Sequence, residues 1–242
     1  MVLETGIAAF LLAITHLFAE KMKDAAIPRS KWLSFAGGVA VAYIFVHLLP
    51  ALQDGQAYLQ QHNLGVSILK HPVYLLTLLG LATFYGVERL AVLSSGSERA
   101  AKGQPSRHSI RTFWIHIIAF SVYNALVGYL LIHNGKKSLT SLLFFTVAMA
   151  FHFLVNDYVL FDHYRSIYRH KGRWVVTAAV LGGWLAGMLV DLPKVWIYIL
   201  YAFVAGSTIL NVLKEELPEE RRSNFWSFAS GMLVYSILLM FS

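Results

Sequence analysis

Apolar stretches of span length and short polar breaks alternate eight times along the chain, near 4–20, 32–52, 71–93, 111–132, 139–163, 174–191, 195–213 and 224–241. About 20 apolar residues in a helix cross the roughly 30 Å hydrocarbon layer of a bilayer. The pattern therefore predicts an all-α, polytopic membrane protein of eight transmembrane helices. The breaks are polar and short, among them "KMKDAAIPRSK", "NGKK", "HYRSIYRHKGR", "DLPK" and "KEELPEERRS". The longest, "SSGSERAAKGQPSRHS" at about 94–109, reads as a linker, and residues 1–242 read as a single transmembrane domain. Small residues mark where helices approach closely: Gly37-Gly38, Gly182-Gly183 with Gly187, and Ala205-Gly206-Ser207.

Composition supports the membrane class. With 57% hydrophobic and 14% charged residues and a mean hydropathy of +0.58, the chain has more apolar surface than one soluble core can hide. The absence of cysteine excludes disulfides and thiolate metal sites. The first stretch has no basic residues ahead of it, and Lys21 and Lys23 follow it, so it reads as an uncleaved anchor with its N-terminus outside.

The charge of +7 carries orientation. Lys21, Lys23, Arg29, Lys31, Arg99, Lys102, Arg107, Arg165, Arg169, Lys171, Arg173, Lys214, Arg221 and Arg222 fall in the odd-numbered breaks, against only Lys70, Lys136, Lys137 and Lys194 in the even-numbered ones. Basic residues concentrate on the cytoplasmic side, so both termini are expected outside, in a plasma (inner) membrane. Charges divided over four membrane-adjacent breaks argue against nucleic acid as a partner.

Polar side chains inside spans cost about 2–3 kcal/mol each to insert, so each needs a partner, a water-filled cavity or a task. The first stretch carries His16 and Glu20 on one face, the second His47, the third Glu88 beside Arg89, and the fourth His116 and Asn124. The fifth is richest: His152, Asn156 and Asp157, with Asp162 and His163 near its end. His152 and Asn156 share a face, and Asp157 lies about 100° round the helix from Asn156. Imidazole, amide and carboxylate donors suit a divalent cation of the zinc, iron or manganese type. The same residues also serve as interhelical hydrogen-bond partners worth about 1 kcal/mol, so both readings stand. His16, Glu20 and His47 lie near span ends, where side chains snorkel toward the interface, and Glu88 next to Arg89 suggests a local pair. Asn211, Glu215 and Glu216 end the seventh stretch before Pro218.

Three motifs carry a resemblance. "FAGGVAVAYIFVHLLPAL" (35–52) resembles the second helix of ZIP-type metal transporters, "ATFYGVERL" (82–90) their third, and "VAGSTILNVLKEELPEE" (204–220) their seventh. The resemblance spans most of the chain and implies a ZIP-like bundle that moves a divalent metal cation by alternating access. It carries Asn124, His152, Asn156 and Asp157 over as metal ligands, with His16, Glu20, His47, Asn211 and Glu215 as a candidate pathway. The metal ion, the lipid bilayer and a second copy in a homodimer are the partners considered.

The sequence departs from that family where its ligands stand. The fourth helix, typically HNxxDG, reads "YNALVG", with Tyr123 at the histidine position and Val127 at the acidic one. The fifth, typically HExPHE, reads "HFLVND", with Phe153 for glutamate, Val155 for proline, and Asn156 and Asp157 at the last two places. Losing carboxylates removes much of the attraction for a dication, and losing the proline predicts a straighter fifth helix. A transport-inactive binding, sensing or assembly protein of the same fold is therefore the alternative. An intramembrane metal hydrolase on His16, Glu20, His47 and His152 is the weakest reading, since no HExxH spacing occurs, and no enzyme activity is expected.

Overall fold

A computed structural model of the chain describes residues 2–18, 29–62, 70–96, 107–134, 138–216 and 224–240. Every regular element among them is helical: α1 Val2–Phe18, α2 Arg29–Tyr43, α3 Leu49–Gln61, α4 Pro72–Gly96, α5 Arg107–Asn134, α6 Leu139–Ile167, α7 Arg173–Leu189, α8 Lys194–Asn211 and α9 Phe225–Met240. Three π-helical segments extend or join them, at Ile44–Leu48, Tyr168–Gly172 and Val212–Glu216. Among the described residues the all-helical architecture expected from the sequence is present, and six helices are long and apolar enough to cross a membrane. The apolar helices Val2–Phe18 and Phe225–Met240 are shorter. At 1.5 Å per residue they span about 25 Å, near the lower limit for crossing.

The second helical rod outruns its apolar pattern. α2 passes through the π segment Ile44–Leu48 directly into α3, so helix continues to Gln61. Gln56 shows why this polar end stays ordered. It is 3% exposed; its Nε2 donates to the Lys70 carbonyl at 3.1 Å, and its Oε1 accepts from the Val73 amide at 3.1 Å. One amide side chain thus bonds two backbone groups at the entry to α4, and Gln60 Nε2 donates to the same Lys70 carbonyl at 3.1 Å.

Three pairings dominate the packing: α2 with α9, α4 with α8, and α5 with α7. Each is a reciprocal glycine crossing. A Cβ added at Gly38 would lie 2.1 Å from the Phe228 carbonyl oxygen and one at Gly231 2.2 Å from that of Phe35. Gly80 faces Phe203 O at 2.1 Å and Gly206 faces Thr77 O at 1.8 Å; Gly128 faces Val180 O at 2.1 Å and Gly183 faces Ala125 O at 1.9 Å. In a bilayer, helices gain from close packing more than from apolar burial, so glycine at each crossing lets two backbones touch.

α1 packs on α5, α6 and α7, whereas α4 and α8 meet α3, and α2 reaches α6. The α1, α5, α6 and α7 group surrounds the polar residues of the fifth predicted span. α6 runs through Val155 without a break, and its single non-helical residue is Arg165 (φ 24°, ψ −96°). The stretch 163–173, expected as a loop, is instead helical on both sides of that one residue.

Candidate functional site

Asp157 points away from the His152 and Asn156 face, toward α1. There His16, in the last turn of α1, bridges two helices with its two ring nitrogens. Nδ1 lies 2.7 Å from Asp157 Oδ2 and Nε2 lies 2.9 Å from Asn124 Oδ1. Asn124 is oriented by its own amide, which donates to the Phe120 carbonyl at 2.8 Å, so Oδ1 is left as an acceptor. His16 Nε2 therefore donates. On the other side, Asp157 Oδ1 accepts from the Tyr168 hydroxyl at 2.5 Å, which leaves Oδ2 to meet His16 Nδ1 with a proton between them. The bridge thus holds one proton more than a neutral imidazole and a carboxylate would, and that proton balances the aspartate charge. Such balance is required here, because His16, Asn124, Asp157 and Tyr168 are each 2% exposed and an uncompensated charge would be costly. Phe153 stacks on the His16 ring at 4.7 Å between centroids, closing the remaining face.

Tyr168 reaches Asp157 only because the chain turns. Eleven residues of straight helix would separate the two by about 16 Å along the axis, too far for their side chains to meet. The positive φ of Arg165 reverses the path, and the π segment Tyr168–Gly172 then brings the phenol back beside α6. A non-glycine residue in that region carries backbone strain, which the surrounding contacts must offset.

The other two expected ligands form a separate pair. The Asn156 amide Nδ2 donates to His152 Nε2 at 3.0 Å. Beside them Tyr123 stands 5.8 Å from the His152 ring, and its hydroxyl meets Thr208 Oγ1 at 2.8 Å and Met149 Sδ at 3.8 Å. Asn211, at the end of α8, is 3% exposed, and its Nδ2 has no hydrogen-bond partner among the described residues.

A second polar cluster joins four elements nearer the end of the bundle. Lys214 Nζ donates to Glu88 Oε2, His116 Nε2 lies 3.7 Å from Glu88 Oε1, and the His116 Nδ1 and the Tyr164 hydroxyl are 3.1 Å apart. Glu88 was expected to pair with Arg89. Neighbouring helical residues diverge by about 100°, and the tight α4/α8 crossing brings Lys214 within reach, so the carboxylate pairs across helices instead.

The structure thus brings Asn124 and Asp157 together through His16 and places His152 with Asn156, in two pairs. His16, expected near an interface, is instead in the core, because α1 packs against three helices there. His47 sits on the π segment Ile44–Leu48, stacked on Tyr43 at 5.3 Å. Glu20 lies outside the described residues, as does Pro218; Glu215 and Glu216 close the π segment Val212–Glu216, and their side chains are outside those described. Asp162 and His163 likewise lie in α6 with their side chains outside those described. Tyr168 was missed because it stands in a break, and Thr208 because a lone threonine in an apolar helix gives no signal. Among the described residues, no three histidine, aspartate or glutamate side chains gather in a group that could hold a metal ion. Compared with protein-family models and with curated proteins, the chain matches neither a family model nor an individual protein.

Proposed function

We propose that the chain is a ZIP-like membrane protein of eight spans, with both termini outside, in which the His16 imidazole, hydrogen-bonded to Asn124 and Asp157, takes the place of a transported dication. In this reading it acts as a binding, sensing or assembly protein of that fold. The observation that carries the proposal is the His16 bridge. Asn124 and Asp157 are among the positions that the resemblance assigns to metal, and the two ring nitrogens of His16 occupy both of their facing oxygens. A dication entering there would have to displace the ring, expel a proton and leave the Tyr168 hydroxyl to compete for the same carboxylate.

The test is the melting temperature of the purified chain in detergent, with zinc, manganese or iron(II) or with chelator. No metal-induced rise is expected in the wild type at millimolar cation, whereas His16→Ala, which vacates the bridge, is expected to gain one. A rise in the wild type would overturn the proposal. For orientation, the cysteine-free chain offers a clean background: a cysteine at Ser166 is expected to react with an impermeant reagent from the cytoplasmic side only, and one at Gln60 from outside only.

Divalent-metal transport by alternating access is the second reading, favoured by a specific feature. His152, Asn156 and the unpartnered Asn211 amide supply buried polar capacity that the His16 bridge does not use. Zinc, iron or manganese would be the cargo, with His152 and Asn156 as its contacts and no resident cofactor implied. Cation-dependent uptake into proteoliposomes, lost in His152→Ala and absent from empty vesicles, would establish this reading in place of the first.

A further inference from the structure

The α6–α7 turn concentrates positive charge on a fixed scaffold. Of residues 165–173, Arg165, Arg169, His170 and Lys171 are exposed, Arg173 is half-buried, and the sequence contains no carboxylate from His163 through Val190. The guanidinium of Arg173 lies 5.4 Å from the centre of the Trp174 ring, and Trp174 is 54% exposed. The turn closes one end of two helices long and apolar enough to cross a membrane, Leu139–Phe161 and Tyr164–Leu189, and when both cross a bilayer it lies at the depth of the lipid headgroups. Indole rings settle at that depth, and basic side chains there meet phosphate.

The inner side of the turn is locked. Tyr168 is 2% exposed and bonded to Asp157, and Gly172 is buried with space for a Cβ only 2.5 Å from the Tyr168 ring. The strained backbone at Arg165 fixes where the outward residues emerge. Charges on such a rigid turn lose little freedom when they close on a ligand, which favours a defined site over diffuse attraction.

We propose that the α6–α7 turn binds the phosphate of an anionic lipid headgroup, with Arg165, Arg169 and Lys171 as its cationic contacts and the Arg173–Trp174 pair beside it. Charge complementarity selects the occupant: Arg165, Arg169 and Lys171 are exposed cations, and the molecules that reach a turn at the end of two membrane-crossing helices are lipids. Basic residues that only orient the chain would be interchangeable with others of equal charge; those of a site are not.

The experiment uses the full chain in detergent, titrated with phosphatidylglycerol or with phosphatidylcholine and followed by melting temperature. Phosphatidylglycerol is expected to raise it at lower concentration than phosphatidylcholine. A basic residue near an anionic surface contributes about fivefold in affinity, so Arg169→Ala with Lys171→Ala is expected to weaken the phosphatidylglycerol response about 25-fold. Lys70→Ala with Lys194→Ala removes the same charge from exposed positions in other connections and is expected to change it by less than about twofold. Equal weakening by the two pairs, or equal responses to the two lipids, would overturn the proposal. A response to millimolar inorganic phosphate as large as that to phosphatidylglycerol would assign the turn to free anions and also overturn it.

Discussion

The two polar clusters use similar chemistry in different surroundings. At the centre, the His16 and Asp157 side chains are 1% and 3% exposed, and both ring nitrogens and both carboxylate oxygens have partners. In the other cluster, Lys214 is 39% exposed and Glu88 17%, with His116 at 3.7 Å. Water can solvate the second set when a partner is lost, and it cannot reach the first. A buried pair is therefore expensive to break even though it adds little over an apolar pair of the same shape, while an accessible pair is cheap to break.

The largest effect is expected from Asp157→Ala, which strips the proton-sharing partner from His16 and the acceptor from Tyr168. A loss of about 3–5 kcal/mol is expected, read as a strongly lowered melting temperature. A variant that melts like the wild type would show that the centre is hydrated and the contrast between the clusters false. Replacing both partners, as His16→Leu with Asp157→Leu, sharpens the comparison: the pair is expected to regain most of the stability lost by Asp157→Ala, because no orphaned charge remains. Additive losses in the double variant would mean that His16 and Asp157 do not couple, and would overturn the bridge.

Next in size is Tyr168→Phe. It removes one hydrogen bond to a charged group while keeping the ring, and about 1.5–3 kcal/mol is expected. If the melting temperature is unchanged, the phenol does not hold the α6–α7 turn to the core. The smallest effect is expected from Glu88→Gln, no more than about 1 kcal/mol and reduced further by salt. A loss comparable to that of Asp157→Ala would show that the second cluster is as dry as the first.

That the chain is a series of apolar helices was legible in the apolar pattern, since a span must be apolar for most of its length. The breaks were less so. Gln56 continues α3 into a polar stretch by capping α4, a contact invisible from either segment alone. The polar break 163–173 turns at the single residue Arg165, eight residues after Asp157, with helix on both sides, which its residue types do not show. Of the candidate site, His152 and Asn156 share a face and bond to each other, in keeping with their spacing, whereas Asp157, grouped with them by the resemblance, lies about 100° round the helix and meets His16, a partner its own segment does not show.

The twin glycines of α7 divide what each level decides. The sequence by itself determined a membrane-class, all-helical chain, a set of polar residues that demand partners, and small residues where helices can approach, because solvation and helix period act locally on each segment. It could not distinguish Gly182 from Gly183. The tertiary structure does: a Cβ at 183 would lie 1.9 Å from the Ala125 carbonyl, and one at 182 meets nothing within 4 Å. The same holds for His16, whose partners lie 108 and 141 residues away. Which atoms meet is fixed by how whole helices cross, and a crossing depends on both of its helices at once.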